Sequence, residues 1–336
     1  MEYSVVIPTH NRPDLVIRAI RSACDQTRAP REIIVIDDAS QPPLVLPAEF
    51  CGGRVRLIRH ERSVGGAAAR NTGLREAAMP IVAFLDDDDE WLPAKMETQL
   101  AWLDAHPDAS LVTCGHFRCE GGREYREVFT RQFVERYRHH HNFFGSFSYL
   151  VVRHSPAGTL LHPALPALQD WDFALRVTRG RAFGVIEQPL VKYYAHDLPR
   201  ITNGPGNHLR GLRRCYLKHR LDFSEDARRW LLGRIVFERS RGIPSARKRF
   251  WRVVFSVVLA SGCRVPVMMK LRALGRRAAS VGISARGIIR LRSGVIAAWQ
   301  GCQAWLGRLC GRSGPGSTVA LERSSASLRR FASRGG

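Results

Sequence analysis

Two short, wholly apolar runs in this chain stop at carboxylates. Ile33 to Ile36 runs into Asp37-Asp38, and Ile81 to Leu85 runs into Asp86-Asp87-Asp88-Asp89-Glu90. An unbroken apolar run of this length suits a strand buried on both faces, as in a parallel sheet covered by helices. Tyr3 to Pro8 is another such strand, ended by the loop Thr9-His10-Asn11-Arg12, and Val55 to Ile58 is a fourth. The stretches between are helical in pattern. Pro13 suits a first helical position, and Val16, Ile20, Ala23 and Cys24 fall on one face of the helix that follows. Val64-Gly65-Gly66 leads into a helix over roughly 67–78, and Met96, Leu100 and Leu103 share a face of a helix over 93–106. Strands alternating with helices predict an α/β fold with a doubly wound, Rossmann-like sheet. Ligands of such sheets bind at the carboxyl ends of the strands, where Asp37, Asp38 and the acidic run all fall.

Four adjacent carboxylates repel one another, and a cation would hold them together. Hard oxygen ligands at a sheet edge suit Mg²⁺ or Mn²⁺ bridging phosphate oxygens. The plainer alternative is an acidic loop that caps the helix starting near Pro93. No G-x-G-x-x-G follows the first strand and no P-loop pattern is present, which argues against a dinucleotide-binding Rossmann domain and a P-loop nucleotidase.

Charge divides the chain. Of its 336 residues, 1–204 carry 24 Lys+Arg against 25 Asp+Glu and 205–336 carry 28 against 5, so the second part holds the net charge of +22. A neutral catalytic part followed by a segment that meets something anionic is expected. The eight cysteines have no C-x-x-C pair or ordered spacing and read as reduced thiols. The N-terminus lacks the basic and apolar regions of a secretory signal, so a cytoplasmic location is expected. No run reaches the ~18 apolar residues of a spanning helix. Phe250 to Met269 comes nearest but contains Arg252, Arg264 and Pro266, and Val295 to Leu309 carries Trp299 and Trp305, which suits a surface-lying helix as well as ordinary packing. The region 205–310 is expected to be helical and 311–336, rich in Ser, Gly and Arg, a disordered basic tail.

Five segments in order carry the chemistry: Val5-Val6-Ile7-Pro8-Thr9-His10-Asn11-Arg12, Val35-Ile36-Asp37-Asp38-Ala39-Ser40, Gly65-Gly66-Ala67-Ala68-Ala69-Arg70-Asn71-Thr72-Gly73, Leu85-Asp86-Asp87-Asp88-Asp89-Glu90-Trp91, and Leu168-Gln169-Asp170-Trp171-Asp172. Together they closely resemble glycosyltransferase family 2, the inverting transferases of GT-A fold, over residues 3 to about 202. The resemblance implies a GT-A nucleotide-diphospho-sugar transferase domain over 1–204, with a Rossmann-like mixed sheet. It places Thr9, Arg12 and Asp38 at the nucleotide, with Arg70 and Asn71 at the diphosphate. In the family's D-x-D element, Asp86 matches the position that meets ribose or sugar hydroxyls and Asp88 the ligand of Mg²⁺ or Mn²⁺, which leaves Asp87 and Asp89 expected to be solvated. Since all four positions are Asp, the register is not unique.

Asp170 matches the family's catalytic base, with Gln169 where the family usually has Glu. A base poised near neutrality needs a raised pKa, and Asp172 could supply the like charge that Gln169 does not. The alternative is that Asp170 merely caps the helix over Trp171 to Thr178. His196 resembles the family's late His and is a further candidate metal ligand, whereas His139, His140 and His141 lack metal-site spacing and suit a polar loop.

The implied partners are a nucleoside diphosphate sugar and a saccharide or lipid-linked saccharide acceptor, in cell-surface polysaccharide synthesis. The basic region would meet an anionic membrane surface at the inner face of the cell membrane. Two other readings stand beside this one: a catalytically silent scaffold that binds nucleotide sugar, and a nucleic-acid-binding protein acting through the basic region. The last leaves the acidic run and Asp170 unexplained, so no nucleic acid is expected.

Overall fold

The computed structural model describes residues 1–50, 53–154, 158–195 and 206–240. By its contacts the chain divides into Met1–Arg239 and Ser240–Gly336, and every element described belongs to the first unit apart from the last residue of its final helix. The expectations for 241–336, including the two Trp- and Arg-flanked apolar stretches, and for His196 lie outside the described residues.

Four parallel strands form one half of the sheet: β1 (Tyr3–Thr9), β2 (Glu32–Asp37), β3 (Val55–Arg59) and β4 (Ile81–Phe84), in the order β3-β2-β1-β4. β1 and β4 are buried at every position and β2 at all but its first, as their unbroken apolar runs require. β3 is the edge strand, with partly or fully exposed residues throughout. Crossover helices α1 (Pro13–Cys24) and α2 (Gly66–Glu76) follow β1 and β3. On α1, Val16, Ala19, Ile20 and Ala23 are buried while Cys24 is only partly so. α2 lies so close to β1 that a Cβ on Gly73 would come within 2.3 Å of Val6 Cγ1.

Beyond β4 the sheet turns mixed. A two-residue strand β5 (Glu90–Trp91) leads to α3 (Lys95–Ala105), whose Met96, Leu100 and Leu103 face the core as the spacing predicts. After residue 108 the strands lengthen. Two long strands, β6 (Ala109–Glu120) and β9 (Ala182–Tyr194), pair in parallel, and β7 (Arg123–Glu127) folds back on β6. β8 (Val151–Arg153) runs antiparallel to both β4 and β6 and joins the two halves. Local alternation is weak here because β6 passes from a buried to an exposed environment along its length, while β9 is buried in two patches separated by the exposed Glu187 and Gln188. Helices α4 (Arg131–Tyr137), α5 (Gln169–Val177), α6 (Asn207–His219) and α7 (Glu225–Ser240) complete the described fold.

The two terminal helices pack on the sheet unit. The fully buried carboxylate of Asp172 on α5 accepts from His219 Nε2 at 2.8 Å, Lys218 Nζ at 2.7 Å and Arg176 Nε at 3.0 Å. Asp226 on α7 meets His140 at 3.1 Å. α6 and α7, which the charge division at residue 204 separates from the catalytic part, thus lie in the same unit as the sheet. The four cysteines among the described residues, Cys24, Cys114, Cys119 and Cys215, are free thiols. No helix among the described residues is long and apolar enough to cross a membrane.

Candidate active site

From β1 the chain moves one way to β2 and β3, while β4 lies on the other flank. The carboxyl ends of β1 and β4 therefore border the switch point at which open α/β sheets bind ligands. The loop after β1 and the acidic turn after β4 meet there. Thr9 Oγ1 donates to Asp87 Oδ2 at 2.8 Å, and Arg12 Nη1 donates to Asp87 Oδ1 at 2.8 Å and to Asp88 Oδ2 at 3.1 Å. Arg18 on α1 donates to the Asp88 carbonyl at 2.8 Å.

The four aspartates have distinct environments. Asp86 is the most open, its side chain 23% exposed, and it accepts from Arg70 on α2 and from Ser146 Oγ at 2.8 Å. Asp88 retains some exposure beside Arg12. Asp87 and Asp89 are buried, contrary to the expectation that they are solvated. The reason is that the fold spends their oxygens internally: Asp87 on Thr9 and Arg12, Asp89 on Ser148 Oγ at 2.5 Å. Burial pushes the Asp87 carboxyl up to about 6, with Arg12 opposing and Asp88 adding to the rise.

Ser146 and Ser148 carry no sequence signal for this role, because they reach the turn from some sixty residues away; Ser148 Oγ also accepts the Asp86 N–H at 3.0 Å. Arg70 lies over the Phe147 ring, 4.3 Å from its centre, so the residue between those serines steadies the guanidinium that holds Asp86.

Asp170 sits in the first turn of α5. Its Oδ1 accepts the Trp171 N–H at 2.8 Å, and Leu168, in the left-handed region at φ 62°, turns the chain into the helix without a side-chain cap. Burial pushes Asp170 up to about 6; the Asp86 charge adds to the rise, while the Trp171 N–H and Arg70 oppose it. The like charge thus comes from Asp86 and not from Asp172. Asp172 turns away, and despite its burial the donors from His219 and Lys218 hold its pKa well below the usual carboxylate range. Gln169 Nε2 donates to the Leu165 carbonyl at 2.7 Å and so supports the helix start.

Two further candidates are held by the protein itself. Asp38 accepts from His60 Nδ1, Ser63 Oγ and the N–H groups of Val64 and Gly65, at 2.8 to 3.0 Å. Burial alone would raise its pKa, but these donors outweigh it and hold the carboxyl low. They occupy about the four acceptor positions a carboxylate offers, so Asp38 shapes the loop before α2. Asn71 donates to the Leu161 carbonyl at 2.9 Å and accepts the Leu161 N–H at 2.7 Å, so both ends of its amide are engaged by the backbone. The His139–His141 stretch is not simply polar loop: His140 is buried against Asp226, and His139 packs on Phe223.

Among the described residues, no three His, Cys, Asp or Glu side chains converge as a metal site. The donors still suit a hard cation, since Mg²⁺ is commonly bound by one or two carboxylates together with substrate phosphates and water. Asp86 and Asp88 would be the protein's ligands, Asp88 exchanging Arg12 for the ion.

A sheet that turns from parallel to mixed beside an acidic turn and a shielded carboxyl is the GT-A type of α/β fold. TarS from S. aureus, solved as residues 1–349, shares it: TM-score 0.57 at 17% identity, covering 90% of this chain and 92% of that one. The same protein has been solved with UDP-GlcNAc. Residues 4–160 match the family model described as Glycosyl transferase family 2, and this part of the chain belongs to that family. Among curated relatives, the UDP-Glc:alpha-D-GlcNAc-diphosphoundecaprenol beta-1,3-glucosyltransferase WfgD of Escherichia coli is 36% identical over 101 residues, 30% of this chain and 40% of that protein. The putative colanic acid biosynthesis glycosyl transferase WcaA of Escherichia coli K12 is 26% identical over 244 residues, 68% of this chain and 85% of that protein. The putative teichuronic acid biosynthesis glycosyltransferase TuaG of Bacillus subtilis is 34% identical over 103 residues, 30% of this chain and 41% of that protein. The chain thus spans less than half the length of WfgD and TuaG.

Proposed function

We propose that this chain is an inverting glycosyltransferase that moves a sugar from a nucleoside diphosphate donor to a saccharide or lipid-linked saccharide in cell-surface polysaccharide synthesis. The observation that carries the reading is Asp170, a shielded carboxyl with its pKa raised to about 6, next to Asp86 and Arg70 at the switch point of the sheet. Near neutral pH such a group is ionised yet basic enough to take a proton. Asp170 removes the acceptor's hydroxyl proton while that oxygen attacks the anomeric carbon. The bond from that carbon to the diphosphate oxygen breaks with its electron pair, and attack from the face opposite the leaving group inverts the configuration.

Arg12 and Arg70 lie on either side of the acidic turn, where guanidinium forks suit diphosphate oxygens. Asp86 and Asp88 would hold Mg²⁺ or Mn²⁺, which supplies Lewis-acid stabilisation of the departing diphosphate. Asp38, through its hold on the 63–65 loop, sets the wall on which the nucleoside rests. The names of WfgD, WcaA and TuaG support the acceptor class.

Nucleotide release from UDP-, GDP- and dTDP-sugars, with Mg²⁺ or Mn²⁺ and membrane extract as acceptor source, tests this. Turnover of one donor, lost in Asp88→Ala and Asp170→Asn, is the expected result. Gln169 in place of the family's Glu favours one competitor, a silent nucleotide-sugar-binding scaffold. Donor binding without turnover would select it.

A further inference from the structure

An open cleft of about 470 Å³, whose lining does not include Asp86, Asp88 or Asp170, borders α2. It is lined by Arg59, His60, Glu61, Arg62 and Val64 from the end of β3 onward, by Ala68, Asn71, Thr72 and Arg75 along α2, and by Pro163; the Asn71 amide is already held by the Leu161 backbone. Glu61 is the one acid among the lining residues, against three arginines. Arg59 is already spent, on Asp37 and on the Ser40 carbonyl at 3.0 Å. Arg62 and Arg75 are exposed and have no carboxylate partner among the described residues. Ala68, Val64 and Pro163 supply apolar wall between them. His60 joins the cleft to the nucleotide side, its Nδ1 on Asp38 at 2.8 Å and its Nε2 on Thr72 Oγ1 at 3.0 Å.

Two guanidiniums without a carboxylate partner among the described residues border one concave, partly apolar surface. Their planar forks match a tetrahedral oxyanion better than a single carboxylate. The geometry points to this cleft as a second, phosphate-binding site, in which Arg62 and Arg75 grip a phosphate or diphosphate group. That group belongs either to a soluble ligand or to a lipid headgroup. The site needs no metal and stands independently of the transfer chemistry, so it would survive the failure of the transferase reading.

The test is calorimetric titration of the full chain with inorganic pyrophosphate in EDTA, comparing wild type, Arg62→Ala/Arg75→Ala and Arg12→Ala. Both cleft arginines are exposed, so the double variant is expected to keep the wild-type melting temperature. It should bind pyrophosphate at least tenfold more weakly than wild type, and more weakly than Arg12→Ala does. Cosedimentation with phosphatidic acid vesicles names the source: the same loss there assigns a lipid headgroup, and a loss confined to pyrophosphate assigns a soluble ligand. Undetectable pyrophosphate binding to wild type, equal affinity in wild type and the double variant, or a loss seen with Arg12→Ala instead overturns the proposal. Nucleotide-sugar turnover is read separately and decides nothing here.

Discussion

Arg12 Nη1 donates to Asp87 Oδ1 at 2.8 Å and thereby ties the loop after β1 to the acidic turn after β4. The pair is mostly buried, and the same nitrogen reaches Asp88 at 3.1 Å. Arg12→Ala leaves Asp87 buried with Thr9 and without its cation. A loss of about 2 kcal/mol is expected, between the values for exposed and fully buried pairs. Urea unfolding reads that loss, and an unchanged midpoint would show that the turn does not depend on Arg12.

Asp170→Asn should lower kcat by roughly 10²- to 10⁴-fold, the usual weight of a general base, with donor affinity retained. In the wild type, kcat/KM should rise as pH climbs through about 6, because the base works only when deprotonated and burial holds its pKa there. Burial holds Asp87 near the same value, so the limb must be assigned. It belongs to Asp170 if Asp87→Asn keeps it.

Asp172→Asn removes the carboxylate that fastens α6 to α5 and leaves His219 and Lys218 without their charge partner. A cost of about 3 kcal/mol is expected. Because the folded pKa of Asp172 is depressed, its contribution is fully present above the unfolded carboxylate range near pH 4 and is lost as pH falls below it. The gap in denaturation midpoint between wild type and variant should therefore narrow in acid. A constant gap would mean that the carboxylate's charge is not what holds the helices.

Asn71→Ala should destabilise the fold by about 2 kcal/mol, since it strands both the N–H and the carbonyl of Leu161. Donor affinity should change less than threefold. A large rise in donor Kd with stability intact would instead restore Asn71 to the diphosphate, where the family resemblance puts it.

Much of the frame was legible along the chain. Unbroken apolar runs marked β1, β2 and β4, the i, i+4, i+7 spacing marked α1 and α3, and the acidic residues fell at strand ends. β6 and β9 were harder to read, since β6 crosses from core to surface and β9 is buried in two separate patches, so that neither keeps a single period. The charge imbalance after residue 204 suggested a boundary there, but charge describes a surface, and the contacts that carry α6 and α7 onto the sheet unit run through single buried groups such as Asp172.

The sequence by itself determined the alternation of strands and helices, the acidic loops at the sheet edge and the family motifs, because each is written in neighbouring residues. Tertiary structure alone decided which aspartates stay open. Arg12 comes to Asp87 across 75 positions, Ser146 to Asp86 across 60 and Leu161 to Asn71 across 90. It also buried Asp170, which lifts its pKa, and made Asp86, not Asp172, the like charge that adds to the rise. Periodicity reports which face of an element is buried; what each buried polar group meets there depends on strand order and helix docking, which no local pattern encodes.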